Sequence, residues 1–185
     1  MKRNIIVAKN AFSADLCNKI LKMSHIFQEG RIRDGAIDTR IRKSKTAWID
    51  NNIDSCEIFH PIYKLTKEVN QKFFRFNITE AEVLQVTRYE EKDEGFYKPH
   101  IDGDYTNIDA QKVRKLSMSV QLTPPELYEG GTLYFPDDEE KFNAIDAMEQ
   151  GTAVFFPSYM NHGVKPVTKG IRHSLVVWFL GEHFR

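Results

Sequence analysis

The sequence predicts an α+β protein in which helices pack on one side of a β-sandwich or jelly roll. Two observations carry that class. Apolar residues recur at helical spacing in the N-terminal part of the chain, and beyond Ile78 six short segments mix β-branched or aromatic residues with polar ones, separated by turn clusters. A length of 185 residues with 41% hydrophobic content fits one domain with a single core. We expect that domain to span 1–185, with a helical support over about 12–76 and a β core over about 82–181.

Ile5 to Ala8 reads as a short strand. Ser13 is placed to cap a helix, because a serine oxygen can accept from one of the free N–H groups of the first turn; Asp15 then favours the positive end of the helix dipole. Leu16, Ile20, Met23 and Phe27 carry this helix to about Phe27. Residues 31–45 change character: Arg31, Arg33, Arg40, Arg42, Lys43 and Lys45 stand against Asp34 and Asp38. We expect a mobile loop there, leading into a strand near Thr46 to Ile49. It reads either as a solvated surface segment or as a lid that suits a partner with acidic residues.

A second amphipathic helix, from about Ser55 to Phe74, puts Ile58, Ile62, Leu65, Val69 and Phe73 on one face. The β segments that follow are Glu82 to Tyr89, Tyr97 to Ile101, Leu116 to Leu122, Gly131 to Phe135, Thr152 to Phe156 and His173 to Leu180. Thr123-Pro124-Pro125, Glu129-Gly130-Gly131 and Pro136-Asp137-Asp138 are the turn clusters. Asp104 to Arg114, between two of these strands, is expected to form a second mobile flap.

With 26 basic and 26 acidic residues the formal charge is zero, so no global field favours nucleic acid or an anionic membrane. No broad basic face with interleaved aromatics points to nucleic acid either. Cys17 and Cys56 lie far apart without metal-ligand spacing and read as reduced thiols, which suits the cytoplasm. The N-terminus lacks the apolar length of a signal peptide, and no stretch approaches the roughly 20 apolar residues that span a bilayer. The expectation is a soluble, cytoplasmic protein with no membrane partner.

His100-Ile101-Asp102, with His162 and Arg172 downstream, decides the functional reading. Residues two apart on a strand point to one face, so His100 and Asp102 can bind one ion together; Gly103 then permits a sharp turn. His162 follows the apolar run Phe155-Phe156-Pro157, which presents it at the rim of a strand. Two imidazoles and one carboxylate are the set that leaves one face of a ferrous ion open. A guanidinium returning on the next strand can pair both oxygens of a carboxylate, which the point charge of lysine does less selectively. Lys165 and Lys169 fall in the turn and are expected to face water. His25, His60, His173 and His183 each read as surface or hydrogen-bonded core histidines.

The segment Tyr89-Glu90-Glu91-Lys92-Asp93-Glu94-Gly95-Phe96-Tyr97-Lys98-Pro99-His100-Ile101-Asp102 resembles the region of the first two iron ligands in prolyl-4-hydroxylase-like 2-oxoglutarate/Fe(II) oxygenases. Gly130-Gly131-Thr132-Leu133-Tyr134-Phe135-Pro136 is similar to that family's Gly-Gly strand. Asn161-His162-Gly163-Val164, Gly170-Ile171-Arg172-His173-Ser174-Leu175 and Trp178 resemble its distal ligand and co-substrate anchor. The resemblance covers roughly residues 82–180. It implies a double-stranded β-helix (jelly roll) core with the N-terminal helices packed on one sheet. It further implies His100, Asp102 and His162 as ligands to Fe(II), with 2-oxoglutarate chelating the metal and Arg172 holding its far carboxylate.

Tyr89 and Ser174 are further candidate donors to the co-substrate, and Gln121, Leu133 and Trp178 candidate pocket residues. Some relatives carry a tyrosine at the position matched to Gln121, which leaves the polar contacts there open. The implied reaction consumes 2-oxoglutarate and O2, releases succinate and carbon dioxide, and hydroxylates a substrate, with ascorbate a candidate reductant. No catalytic side chain is expected beyond the metal centre. A peptide or protein substrate modified at proline leads. The alternatives are the same chemistry on a free amino acid or other metabolite, or a metal-binding jelly-roll module without turnover. An open triad with Arg172 argues against the last, since structural sites tend to close their coordination with protein ligands.

Overall fold

The computed structural model describes residues 5–32, 35–106, 110–138 and 142–184. Arg33 and Asp34 of the basic stretch, and residues 107–109 of the expected 104–114 flap, lie outside the described residues. The first elements are strand β1 (Ile6–Ala8), helix α1 (Ala14–Met23), the short strands β2 (Gln28–Glu29) and β3 (Arg42–Lys43), β4 (Lys45–Ile49) and helix α2 (Cys56–Val69). After α2 come β5 (Glu80–Ala81), β6 (Leu84–Glu90), β7 (Phe96–His100), β8 (Val113–Gln121), β9 (Tyr128–Gly130), β10 (Leu133–Tyr134), β11 (Ala153–Pro157), β12 (His162–Val164) and β13 (Val167–Gly181).

Two antiparallel sheets form the jelly-roll core. The larger runs β1-β11-β8-β13-β6-β4-β2, with β5 and β9 also paired to β13; the smaller runs β10-β12-β7-β3. Strand alternation divides the larger sheet into two chemically different faces. Leu84 and Val86 of β6, Leu116, Met118 and Val120 of β8, and Leu175, Val177 and Phe179 of β13 are buried in one cluster. Cys17 and Ile20 of α1 and Ile58, Phe59, Ile62 and Val69 of α2 belong to the same cluster. The intervening residues Gln85, Thr87, Tyr89, Ser119, Ser174, Val176 and Trp178 line a cavity instead. A period of two in the sequence thus separates the apolar core from the cavity wall.

Local chemistry sets where the elements stop. Ser13 caps α1, its side chain accepting from Leu16 N–H. The helix ends at Met23 and not near Phe27, because the Ser24 hydroxyl donates to Ile20 C=O and the Ser24 N–H to Leu21 C=O. Phe27 nevertheless packs against the core, which is why its spacing resembles one more helical turn. A capping box between Asn52 and Ser55 starts the turn leading into α2, and a π-helical turn over Asn70–Phe74 extends it.

The end of the basic stretch forms a strand where its charge predicts a mobile loop. Arg42 and Lys43 form β3 on the edge of β7, and Arg42 is buried. Its Nε donates to Ser44 Oγ at 2.6 Å and its Nη1 to Arg31 C=O at 2.8 Å. Arg40 instead pairs with Asp38 on the surface. Among the described residues no helix is long and apolar enough to cross a membrane.

Candidate metal centre

β7 and β12 are neighbours in the smaller sheet, and His100 lies opposite His162 in their register. Hydrogen bonding between remote segments therefore brings the two imidazoles together, with ring centroids 4.4 Å apart. β7 ends at His100, so Asp102 sits in the bend beyond the strand and not on it. There the N–H groups of Asp102 and Gly103 donate to Ser158 C=O at 3.0 and 3.1 Å. His162 opens β12, after the turn that follows β11, and so stands at a strand rim as expected.

His100 Nε2 is 3.6 Å from Asp102 Oδ1, and His162 Nε2 is 3.5 Å from Asp102 Oδ2. One donor atom from each of the three residues lies within 4.8 Å of the others, so one ion can meet all three. The other ring nitrogens fix the tautomers. His100 Nδ1 faces Lys98 C=O at 2.9 Å and His162 Nδ1 faces Met160 C=O at 3.0 Å. A carbonyl only accepts, so each Nδ1 carries the proton and each Nε2 keeps its lone pair for a metal.

Packing holds the rings in place. Tyr97 stacks on His100 with centroids 3.6 Å apart, and the Arg42 guanidinium lies 4.6 Å from the Tyr97 ring centre. Phe156 packs 4.6 Å from the His162 ring. The side chains of Asp102 and His162 are only 5% and 9% exposed, against 20% for His100, so the centre opens on the His100 side.

Burial pushes the Asp102 carboxyl up, but His162, His100 and the hydrogen bond from Ser117 outweigh it and hold the group below the usual carboxylate range. Burial keeps the His162 imidazole below its ordinary value, against the pull of Asp102. At neutral pH both groups are in the form that donates to a metal. Two imidazoles and one carboxylate fit a divalent first-row ion and leave coordination positions for small ligands.

The sequence also singled out six pocket residues. Tyr89, Leu133, Ser174 and Trp178 line a cavity of about 490 Å3 together with His100, Asp102 and His162. Arg172 and Gln121 line a smaller void beside it, which shares Ser119 and Leu133 with the large one. Arg172 lies opposite Tyr89 in register, its guanidinium carbon 5.6 Å from the Tyr89 ring centre. Its Nε donates to Gln121 Oε1 at 3.0 Å, while Gln121 Nε2 donates to Thr123 C=O. Gln121 thus orients the arginine.

Arg172 Nη1 is buried without a hydrogen-bond partner among the described residues, a costly state for a charged donor unless a ligand supplies the acceptor. Room for Arg172 comes from Gly131. At φ +62° it occupies a conformation that favours glycine, and a Cβ there would lie 2.7 Å from Arg172 Cδ. Burial pushes the Tyr89 phenol up, against Arg42 and Arg172, so it stays protonated and able to donate.

Several residues of the centre were not singled out from the sequence: Arg42, Tyr97, Ser117, Ser158 and Tyr128. Tyr128 lines the smaller void beside Arg172. For Ser117 a signal existed, since the alternation Leu116-Ser117-Met118-Ser119-Val120-Gln121 assigns its polar members to one face. Nothing local marks Ser158 or Arg42.

Residues 84–180 match the profile of the 2OG-Fe(II) oxygenase superfamily. A PKHD-type hydroxylase of Paracoccus denitrificans is 36% identical over 90 residues, covering 46% of this chain and 39% of that protein. The alignments span 27–39% of the length of the first three curated relatives, so the chain matches well under half of each. Among solved structures, the viral collagen prolyl hydroxylase of Paramecium bursaria Chlorella virus-1, in its 2OG complex, superposes with TM-score 0.73 at 23% identity over 97% of both chains. A Trichoplax adhaerens prolyl hydroxylase, in complex with a hypoxia-inducible-factor oxygen degradation domain peptide fragment, gives TM-score 0.73 at 23% identity over 95% of this chain and 83% of that one.

Proposed function

Because this chain belongs to the 2OG-Fe(II) oxygenase superfamily, which works with ferrous iron, 2-oxoglutarate and O2, we propose that it is a hydroxylase acting on a polypeptide, at proline. His100, Asp102 and His162 are the metal ligands in this reading, and their convergence within 4.8 Å is the observation that carries it. Iron held there supplies the redox chemistry that couples decarboxylation of 2-oxoglutarate to insertion of one oxygen atom into a C–H bond. Side chains do the binding and the orienting. Arg172 receives the far carboxylate of 2-oxoglutarate, with Gln121 fixing its Nε and leaving Nη1 for the ligand. Tyr89 and Ser174 are the flanking hydroxyl donors, and Leu133 closes the apolar wall.

In this reading the substrate enters from the side of Trp48 and Trp178, which line the large cavity, Trp48 being half exposed. Trp178 Nε1 is buried without a partner among the described residues, a donor that a peptide carbonyl would satisfy. Aromatic-lined grooves suit the extended conformation of proline-containing peptides. The peptide-bound Trichoplax relative is in keeping with this. We read residues 1–185 as one catalytic domain, its helices packed on one sheet as support. The unpaired Cys17 and Cys56 suit a cytoplasmic setting.

A panel of proline-containing peptides and free metabolites, incubated with Fe(II), 2-oxoglutarate and ascorbate and scored by mass spectrometry, tests the proposal. The expected result is a gain of one oxygen on a peptide with matching succinate release, both absent in His100→Ala. Oxygen gained only by a metabolite would move the substrate class, and no succinate in any arm would leave a metal-binding module without turnover.

A further inference from the structure

We infer that Ser117 and Ser158 form a serial hydrogen-bond clamp that fixes the Asp102 carboxylate as a metal ligand, an inference that rests on the metal centre proposed above. Both serines are fully buried, and their hydroxyls lie 2.9 Å apart, between β8 and the turn that follows β11. Ser117 Oγ is also 2.7 Å from Asp102 Oδ2.

The proton count gives the chain a direction. An ionised carboxylate can only accept, so the single Ser117 hydrogen goes to Asp102. Ser158 must then donate to Ser117. The backbone of Ser158 closes the loop, since its carbonyl accepts from Asp102 N–H and Gly103 N–H while its own N–H donates to Lys115 C=O. Asp102 is therefore gripped at the main chain directly and at the side chain through two hydroxyls, all leading back to one residue.

Core packing does not require this arrangement. Ser117 pairs in register with Phe156 on one side and Trp178 on the other, and Ser158 follows a strand whose five residues are all buried and apolar. Burying two hydroxyls among such neighbours costs free energy unless both are satisfied. Here Ser117 is satisfied by Asp102, and Ser158 by Ser117. The clamp occupies one lone pair of Oδ2 and leaves Oδ1 toward His100, so the carboxylate cannot swing freely. Its rotation is restricted before an ion arrives, which lowers the ordering cost of binding. Ser117 and Ser158 are positioning residues: they act on the centre only through Asp102.

Calorimetric titration with Mn(II) alone, on the whole chain, tests the clamp without relying on turnover. Ser117→Ala should weaken Mn(II) binding by about 10- to 100-fold, the usual effect of removing a hydrogen-bond partner of a ligand. Ser158→Ala should give a smaller loss. The double substitution should match Ser117→Ala, because the Ser158 hydroxyl reaches the carboxylate only through Ser117. Unchanged Mn(II) affinity in folded Ser117→Ala, or losses that add in the double variant, would overturn the clamp. Should Ser117→Ala not fold, unchanged affinity in Ser158→Ala would overturn it equally. A wild-type chain that binds no Mn(II) would remove the metal centre itself, a result distinct from failure of the clamp.

Discussion

Replacing Arg172 with Ala is expected to weaken 2-oxoglutarate binding by on the order of 100-fold or more, about 3 kcal/mol, while Mn(II) affinity changes less than threefold. The argument is one of unmatched donors. Arg172 is buried, Gln121 accepts from its Nε, and its Nη1 has no partner among the described residues. No neighbouring lysine can take its place, because Lys165 and Lys169 are both exposed. Gly131 leaves room for its side chain, since a Cβ there would lie 2.7 Å from Arg172 Cδ. Arg172→Lys should recover only part of the loss, since a lysine ammonium lacks the planar fork that bonds Gln121 through Nε and presents Nη1 to a carboxylate. Calorimetry with 2-oxoglutarate in the presence of saturating Mn(II) checks both variants. Loss of metal affinity equal to the loss of 2-oxoglutarate affinity would remove the assigned role.

Asp102→Asn should have the larger effect, abolishing succinate release and lowering Mn(II) affinity by more than about 100-fold, beyond what loss of an outer hydrogen-bond partner costs. The substitution keeps the shape of the side chain and can keep the contact with Ser117, so it isolates the carboxylate charge. That charge is the one anionic donor of the three, and the groups around Asp102 hold it ionised despite burial. Circular dichroism should show an unchanged fold. A variant that still bound Mn(II) at wild-type affinity would show that the three residues do not share an ion.

Much of this architecture is written in local alternation. In the sequence Leu116-Ser117-Met118-Ser119-Val120-Gln121 the apolar members join the core, while Ser117 turns to Asp102, Ser119 lines the large cavity and Gln121 the smaller void. The same holds for Arg172, Ser174 and Trp178 against Leu175, Val177 and Phe179. The His100 to Asp102 spacing was legible too, although the cause differs: Asp102 is positioned by Ser158 C=O beyond the strand end, not by strand pleat.

What escaped the sequence depends on contacts between remote segments. The resemblance puts His100 and His162 on one ion, but the register between β7 and β12 that brings them together is encoded by no local pattern. Arg42 reads as part of a basic run that is either solvated surface or lid, yet the Tyr97 ring and two oxygen acceptors allow its burial. Gln121 reads only as a candidate pocket residue, and its bond to Arg172, from another strand, explains its use. The expected strand over Gly131 to Phe135 shortens to Leu133–Tyr134, because Gly130 and Gly131 take positive φ angles and break the ladder.

The most direct test is an anaerobic calorimetric titration of the whole chain with Mn(II), followed by 2-oxoglutarate. One Mn(II) should bind per chain, and then one 2-oxoglutarate whose affinity collapses when the metal is withheld. An organic diacid that binds equally well without metal, or a chain that takes up no Mn(II), would contradict a shared centre built from His100, Asp102 and His162.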